Sequence, residues 1–154
     1  MAALADDLTT YAAGLEAVLE LLGRLQALAR EQRAASDARD FGRFKAVADE
    51  RDGVTATLVT LEAELAPLRA RLGTQRQASS RLPIYQTLVE RHRQARTLID
   101  ETLRTDAATV SALRDAEAAR RAAAQVLETS EQTLSAYRRV ISPSRTSALL
   151  DARS

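Results

Sequence analysis

An all-α protein is expected from this chain: an antiparallel helical hairpin plus a long third helix, packed as a three-helix bundle with coiled-coil-like contacts, then a short irregular C-terminal tail. Three observations lead there. Alanine, leucine, arginine and glutamate dominate the 154 residues, which is the composition of long helices. Aromatic residues are 3% of the chain and tryptophan is absent, too little for a conventional globular core. Apolar residues also recur in steps of three and four, the spacing that keeps one helix face against a partner.

The first helix is expected from about residue 4 to 36. Leu8, Tyr11, Leu15, Val18, Leu22, Leu25 and Ala29 form its seam, and Asp6 and Asp7 suit the positive end of its dipole. Gly14 and Gly23 each cost about 1 kcal/mol relative to alanine, so packing has to outweigh them. A glycine in such a stripe also lets a second helix come close. The stretch "SDARD" offers a turn, and Asp40 can cap a second helix over residues 40–72. That helix carries the strongest seam: Phe44, Val47, Arg51, Val54, Leu58, Leu61, Leu65, Leu68 and Leu72. Arg51 is its one polar member, either snorkelling outward or fixing the register. Phe41 and Phe44 are expected in the core at the hairpin end, and Tyr11 in the core of the seam. Pro67 should kink the helix.

"GTQRQASSR" reads as a linker, with Gly73 capping the second helix. Pro83 suits the first turn of a third helix, expected over residues 83–141 and stopped by Ser142-Pro143. Its seam starts with Ile84, Leu88, Ala95, Leu98 or Ile99, and Leu103, and continues through Val110 and Leu113. It thins across "EAARRAAAQV", where alanine favours helix but offers little surface to bury. Leu127, Leu134 and Ile141 resume it. Residues 1–142 thus form one helical bundle, followed by a flexible tail over 143–154. A third helix of ~58 residues would be about 87 Å long against ~50 Å for the others. Its last part must either extend past the hairpin or fold back on it.

The residue inventory argues against chemistry. His92 is the only histidine, a surface residue among arginines, and Glu90 stands at the wrong spacing for a di-metal bundle motif. Carboxylates such as Glu16, Glu20, Glu128 and Glu131 interleave with arginine as on solvated helix faces. No nucleophile elbow, phosphate loop or paired metal-ligand motif occurs. The expectation is a protein that is not an enzyme and uses no cofactor and no metal.

Basic and acidic residues number 22 and 21, for a net charge of +1. The arginines follow no single stripe and lack neighbouring aromatics, so no nucleic-acid partner is expected. There is no cysteine, which fits a reducing compartment. "MAALADDLTT" lacks the regions of a secretory signal. No apolar run approaches the ~20 residues a spanning helix needs. A cytoplasmic protein without membrane insertion is expected.

Asp40-Phe41, Phe44, Val47, Glu50-Arg51, Val54, Leu58 and Leu61-Glu62 resemble the pattern at the matching point of bacterial flagellar export chaperones of the FlgN type. There a Gly-Asp-hydrophobic start precedes an apolar stripe, a Glu-Lys/Arg pair and "LxxLE". Arg39 stands here in place of the glycine, and phenylalanines in place of leucines. In length and order the resemblance covers most of the chain. It implies a cytosolic chaperone that binds the C-terminal amphipathic helices of flagellar hook-filament junction proteins, or another export substrate, and delivers them to the type III export gate. It further implies that Tyr137 docks on the cytosolic domain of that gate, although "AYRRVISPSRTS" departs from the glycine-containing segment expected after the tyrosine.

A carrier of amphipathic helices needs a helix left underpacked on its own. Val126, Leu127, Leu134, Tyr137 and Ile141 meet that need, and Leu149 and Leu150 would shield the surface from the tail. Two competing readings are a structural coiled coil that pairs with itself as a homodimer, and a helix lying on a membrane surface.

Overall fold

A computed structural model of the chain describes residues 2–141. Its elements are α1 (Ala2–Asp37), α2 (Phe41–Thr74), a short α3 (Arg76–Ser80) and α4 (Ile84–Val140), with no strand among the described residues. The contacts divide the chain after Ser111. The first unit holds α1, α2, α3 and the beginning of α4, and the second holds the rest of α4.

The first unit is built on the α1–α2 hairpin. Leu4, Leu8, Tyr11, Leu15, Val18 and Leu22 of α1 are buried against Leu65, Leu68 and Leu72 of α2, with Leu25, Leu58 and Leu61 at the margin. Each fully buried leucine contributes roughly 1.5–3 kcal/mol. At Gly14 the Leu65 side chain of α2 lies directly over the α1 backbone: a Cβ placed there would overlap the Leu65 methyls, with Leu65 Cγ at 3.2 Å. Gly23 has no such neighbour. Of the two glycines on the α1 stripe, therefore, only Gly14 serves close packing.

The turn between them is fixed by backbone chemistry. Arg39 has φ 57°, the left-handed region that glycine prefers. That conformation lets the Asp40 N–H donate to Ala35 O at 2.9 Å, the six-to-one bond that closes a helix C-terminus. Asp40 then caps α2, its carboxylate accepting from the Arg43 N–H at 3.1 Å. Phe41 does not join the core as expected. It is 59% exposed, because it is the first residue of α2 and the buried seam begins only at Val47. Phe44 is half-buried.

The expected linker is largely helical. α2 runs past Gly73 to Thr74, and the cap position falls at Gln75, whose N–H donates to Leu72 O. α3 occupies Arg76–Ser80, and Ser79 seats it in the first unit, buried with its Oγ unpaired. Pro83 stands one residue before α4 rather than inside it. Pro67 lies within an α2 that is helical on both sides of it.

α4 is helical without a break from Ile84 to Val140. Leu88 is buried in the first unit, with Ile84, Ala95 and Leu98 packed beside the core. Beyond Leu98 the inward line departs from the expected one. Thr102 and Thr105 are half-buried and Thr109 is buried, whereas Leu103 is 61% exposed, and Ile99 and Val110 are exposed too. The line that runs inward through Ile84, Leu88, Arg91, Ala95 and Leu98 continues in steps of three and four through Thr102, Thr105 and Thr109, and Leu103 and Val110 lie off it, with Asp106 beside it meeting Arg51. The three threonines donate their hydroxyls to the carbonyl four residues back, which satisfies them without a partner helix.

Candidate functional site

Two regions compete for a functional role. One is a groove of about 430 Å³ in the first unit, lined among others by Leu15, Val18 and Leu22 of α1, Leu58 and Arg69 of α2, and His92 and Ile99 of α4. At its margin Arg69 Nε donates to the Tyr11 hydroxyl at 3.0 Å. Arg69 also bonds Glu62 at 2.7 Å, and both contacts hold its guanidinium firmly protonated. The Tyr11 hydroxyl lies 3.4 Å from His92 Nε2, and the two rings are tilted with centroids 5.9 Å apart.

His92 is held below its usual pKa, first by partial removal from water, then by the charges of Arg69 and Arg96, with Glu62 pulling the other way. Its expected place at the surface holds, but it also packs on Tyr11. A neutral imidazole beside a tyrosine that already accepts from arginine has neither a nucleophile to activate nor a carboxylate to orient it. The cluster packs α4 against the hairpin. Among the described residues no group of three or more His, Asp or Glu side chains could hold a metal ion.

More polar ties join α4 to the hairpin. Arg91 donates to the carbonyl of Ala12 and faces Glu16 at 3.7 Å. Gln26 bonds Glu101. Arg51 makes a two-pronged pair with Asp106 and also donates to Gln32 at 2.7 Å. The alternatives for Arg51 resolve here. Its guanidinium does not snorkel to solvent but joins α1, α2 and α4 in one polar layer.

The other region is the second unit. Every described residue from Arg114 to Ile141 is exposed. Val126, Leu127, Leu134, Tyr137 and Ile141 are each between 56% and 70% exposed. At 100° per residue they fall on one face, within an arc of about 100°. Ala112, Ala116, Ala119, Ala123 and Ser130 complete that face toward the start of the unit. The sequence reading did not single them out, although they repeat the same three-and-four spacing with side chains too small to register as a seam. Leu149 and Leu150 lie outside the described residues.

No helix of the described residues is long and apolar enough to cross a membrane. Comparison of the chain with protein-family models, with curated proteins and with solved structures gives no match in any of the three.

Proposed function

We propose that this protein is a carrier for amphipathic helices, a secretion chaperone in the cytosol, and that the exposed face of α4 after Ser111 is where the client lies. The observation that carries the reading is the exposure of that face: a row of Val126, Leu127, Leu134, Tyr137 and Ile141 on one helix, without a covering element among the described residues. An apolar stripe on a regular helix fits the complementary stripe of another helix, its side chains entering the spaces between those of the partner. The groove of the first unit is lined by apolar residues drawn from three helices rather than by one continuous helical row, and Arg69, Glu62, Tyr11 and His92 beside it are engaged with one another.

The client class comes from the α2 pattern around Asp40, Glu50-Arg51 and Leu61-Glu62. The clients would be the C-terminal helices of flagellar hook-filament junction proteins, and the export gate would be the delivery point. Tyr137, 62% exposed and followed by Arg138 and Arg139, is available for the gate contact.

Calorimetry with synthetic peptides from the C-terminal helices of junction proteins tests the reading. Binding by the unaltered chain, weakened at least tenfold by Leu127→Asp with Leu134→Asp, is expected. If the unaltered chain ignores every such peptide, the flagellar carrier reading fails.

A further inference from the structure

We infer that the second unit pairs with a second copy of itself, antiparallel, through the face that bears Val126, Leu127, Leu134, Tyr137 and Ile141. The argument begins with the unequal distribution of bulk. The first half of the face is alanine at 112, 116, 119 and 123, and the second half carries Leu134, Tyr137 and Ile141. All of these side chains are exposed. A helix of this kind cannot pack well on a parallel copy, since alanine would meet alanine over four layers and leave gaps, while tyrosine would meet tyrosine.

Reversing one copy removes the mismatch. In the register that sets Val126 opposite Leu127 of the second copy, Ala123 faces Ser130, Ala119 faces Leu134, Ala116 faces Tyr137 and Ala112 faces Ile141. Leu134, Tyr137 and Ile141 then each have an alanine across from them, the large-against-small alternation that fills an interhelical space, while Val126 and Leu127 meet at the centre beside the small Ala123–Ser130 pair. Every residue of the face is used. A two-fold contact of this type is self-complementary and closes at two copies.

Charge supports the same register. Arg120 and Glu131 flank the face on one side at 100° per residue, and both are exposed. In the antiparallel arrangement that flank meets its own symmetry mate, so Arg120 of each copy comes within two residues, about 3 Å along the axis, of Glu131 of the other, twice over. In a parallel pair the two copies of that flank lie on opposite sides of the interface, so Arg120 and Glu131 could not meet. Neither residue is in an ion pair among the described residues, whereas the neighbouring Arg121 is already bonded to Glu117 at 2.6 Å. Flanking pairs of this kind set orientation in coiled coils.

The pairing covers the face assigned above to the client, so the two occupants exclude one another and the paired form is the resting state. The inference does not depend on the client reading, since it is measured without any peptide.

The chain has no cysteine of its own, so introduced thiols report cleanly. Under mild oxidation Leu127→Cys alone should give linked dimers, as should Ala116→Cys combined with Tyr137→Cys, while Ala116→Cys alone should not. Linking by Ala116→Cys alone would mean a parallel pair and overturn the proposal. So would a monomer in sedimentation at tens of micromolar without linkage in any variant. As a second arm, Glu131→Arg should weaken association at least fivefold, and adding Arg120→Glu should restore it. An unchanged association constant in Glu131→Arg overturns the register. A monomeric chain that still binds junction peptides sinks this inference alone; a dimer that binds none counts only against the carrier reading.

Discussion

Arg51 and Asp106 are joined by two parallel hydrogen bonds of 2.8 Å each, Nη1 to Oδ1 and Nη2 to Oδ2. This two-pronged geometry is the strong form of an arginine–carboxylate contact. The side chains are 22% and 33% exposed, so the pair is neither fully screened by water nor fully stripped of it. Asp106 is the foremost reason that Arg51 holds its proton more tightly than usual, and partial burial works against it.

The first prediction concerns that pair. Asp106→Ala leaves the guanidinium with only Gln32 in the layer and should cost about 1–2 kcal/mol, the usual range for orphaning a half-buried charged partner. Combining it with Arg51→Leu removes the orphan and adds an apolar side chain to a seam position, so the double variant should be more stable than Asp106→Ala alone. Urea unfolding of the four proteins in the cycle measures this. Additive losses would show that the two residues are not coupled.

A second prediction follows from His92. Its pKa in the folded chain is lowered, so below its ordinary value the unfolded chain binds more protons than the folded one. The stability associated with it is therefore present above about pH 6.5, the unperturbed histidine value, and is lost as the pH falls toward the lower folded value. Protonation would also turn Nε2 into a donor facing a tyrosine oxygen that already accepts from Arg69. The fall in melting temperature between pH 7 and pH 5.5 should be shallower in His92→Gln than in the unaltered chain. Equal slopes would contradict it.

The two glycines on the α1 stripe should respond in opposite directions. Gly23→Ala meets nothing within 4 Å and should stabilise by up to about 1 kcal/mol through helix propensity. Gly14→Ala pushes into Leu65, which is only 6% exposed and has little room to move. Overpacking of this sort costs about 1–3 kcal/mol, enough to outweigh the propensity gain. Thermal unfolding of the two variants should show shifts of opposite sign.

Arg39 supplies a fourth test. A non-glycine residue in the left-handed region carries a penalty of roughly 1–2 kcal/mol, partly offset by the extra freedom glycine has when unfolded. Arg39→Gly should therefore stabilise by about 0.5–1 kcal/mol, seen as a higher urea midpoint with an unchanged slope. A lower midpoint would mean that the arginine side chain contributes something the turn geometry does not reveal.

Much of the first unit could be read from spacing because the α1–α2 contact is apolar and continuous. Leu8, Tyr11, Leu15, Val18, Leu22, Leu65, Leu68 and Leu72 all fall where the three-and-four rhythm puts them. On α4 the rhythm continues after Leu98 but through Thr102, Thr105 and Thr109. Reading by greasiness selects Leu103 and Val110 instead, because hydroxyls that bond their own helix are not counted as apolar. The Arg51–Asp106 pair beside that line is invisible in one chain read locally, since its members stand 55 residues apart.

Phe41 failed for another reason. An aromatic beside a turn reads as a plug, but it precedes the first inward position of its helix. On the second unit the bulky members Val126, Leu127, Leu134, Tyr137 and Ile141 were readable as apolar positions, and all five are exposed. The alanines that complete the face were not, because a methyl group gives periodicity too little contrast.

Within the first unit ion pairs tie α1 to α2 through Arg24–Glu50, Arg43–Glu31 and Arg71–Asp7, and tie α4 to the hairpin through Arg51–Asp106 and Arg91–Glu16. The long buried leucine seam, however, runs between α1 and α2, and α4 adds only Leu88 to its fully buried members. Added electrolyte screens the charged ties at both junctions and leaves the hydrocarbon untouched or, with sulfate, tighter. The junction with less hydrocarbon beneath its charges should therefore loosen first. In concentrated sodium chloride, backbone amides of α4 before Ser111 should exchange with deuterium sooner, while those along the hairpin keep their protection.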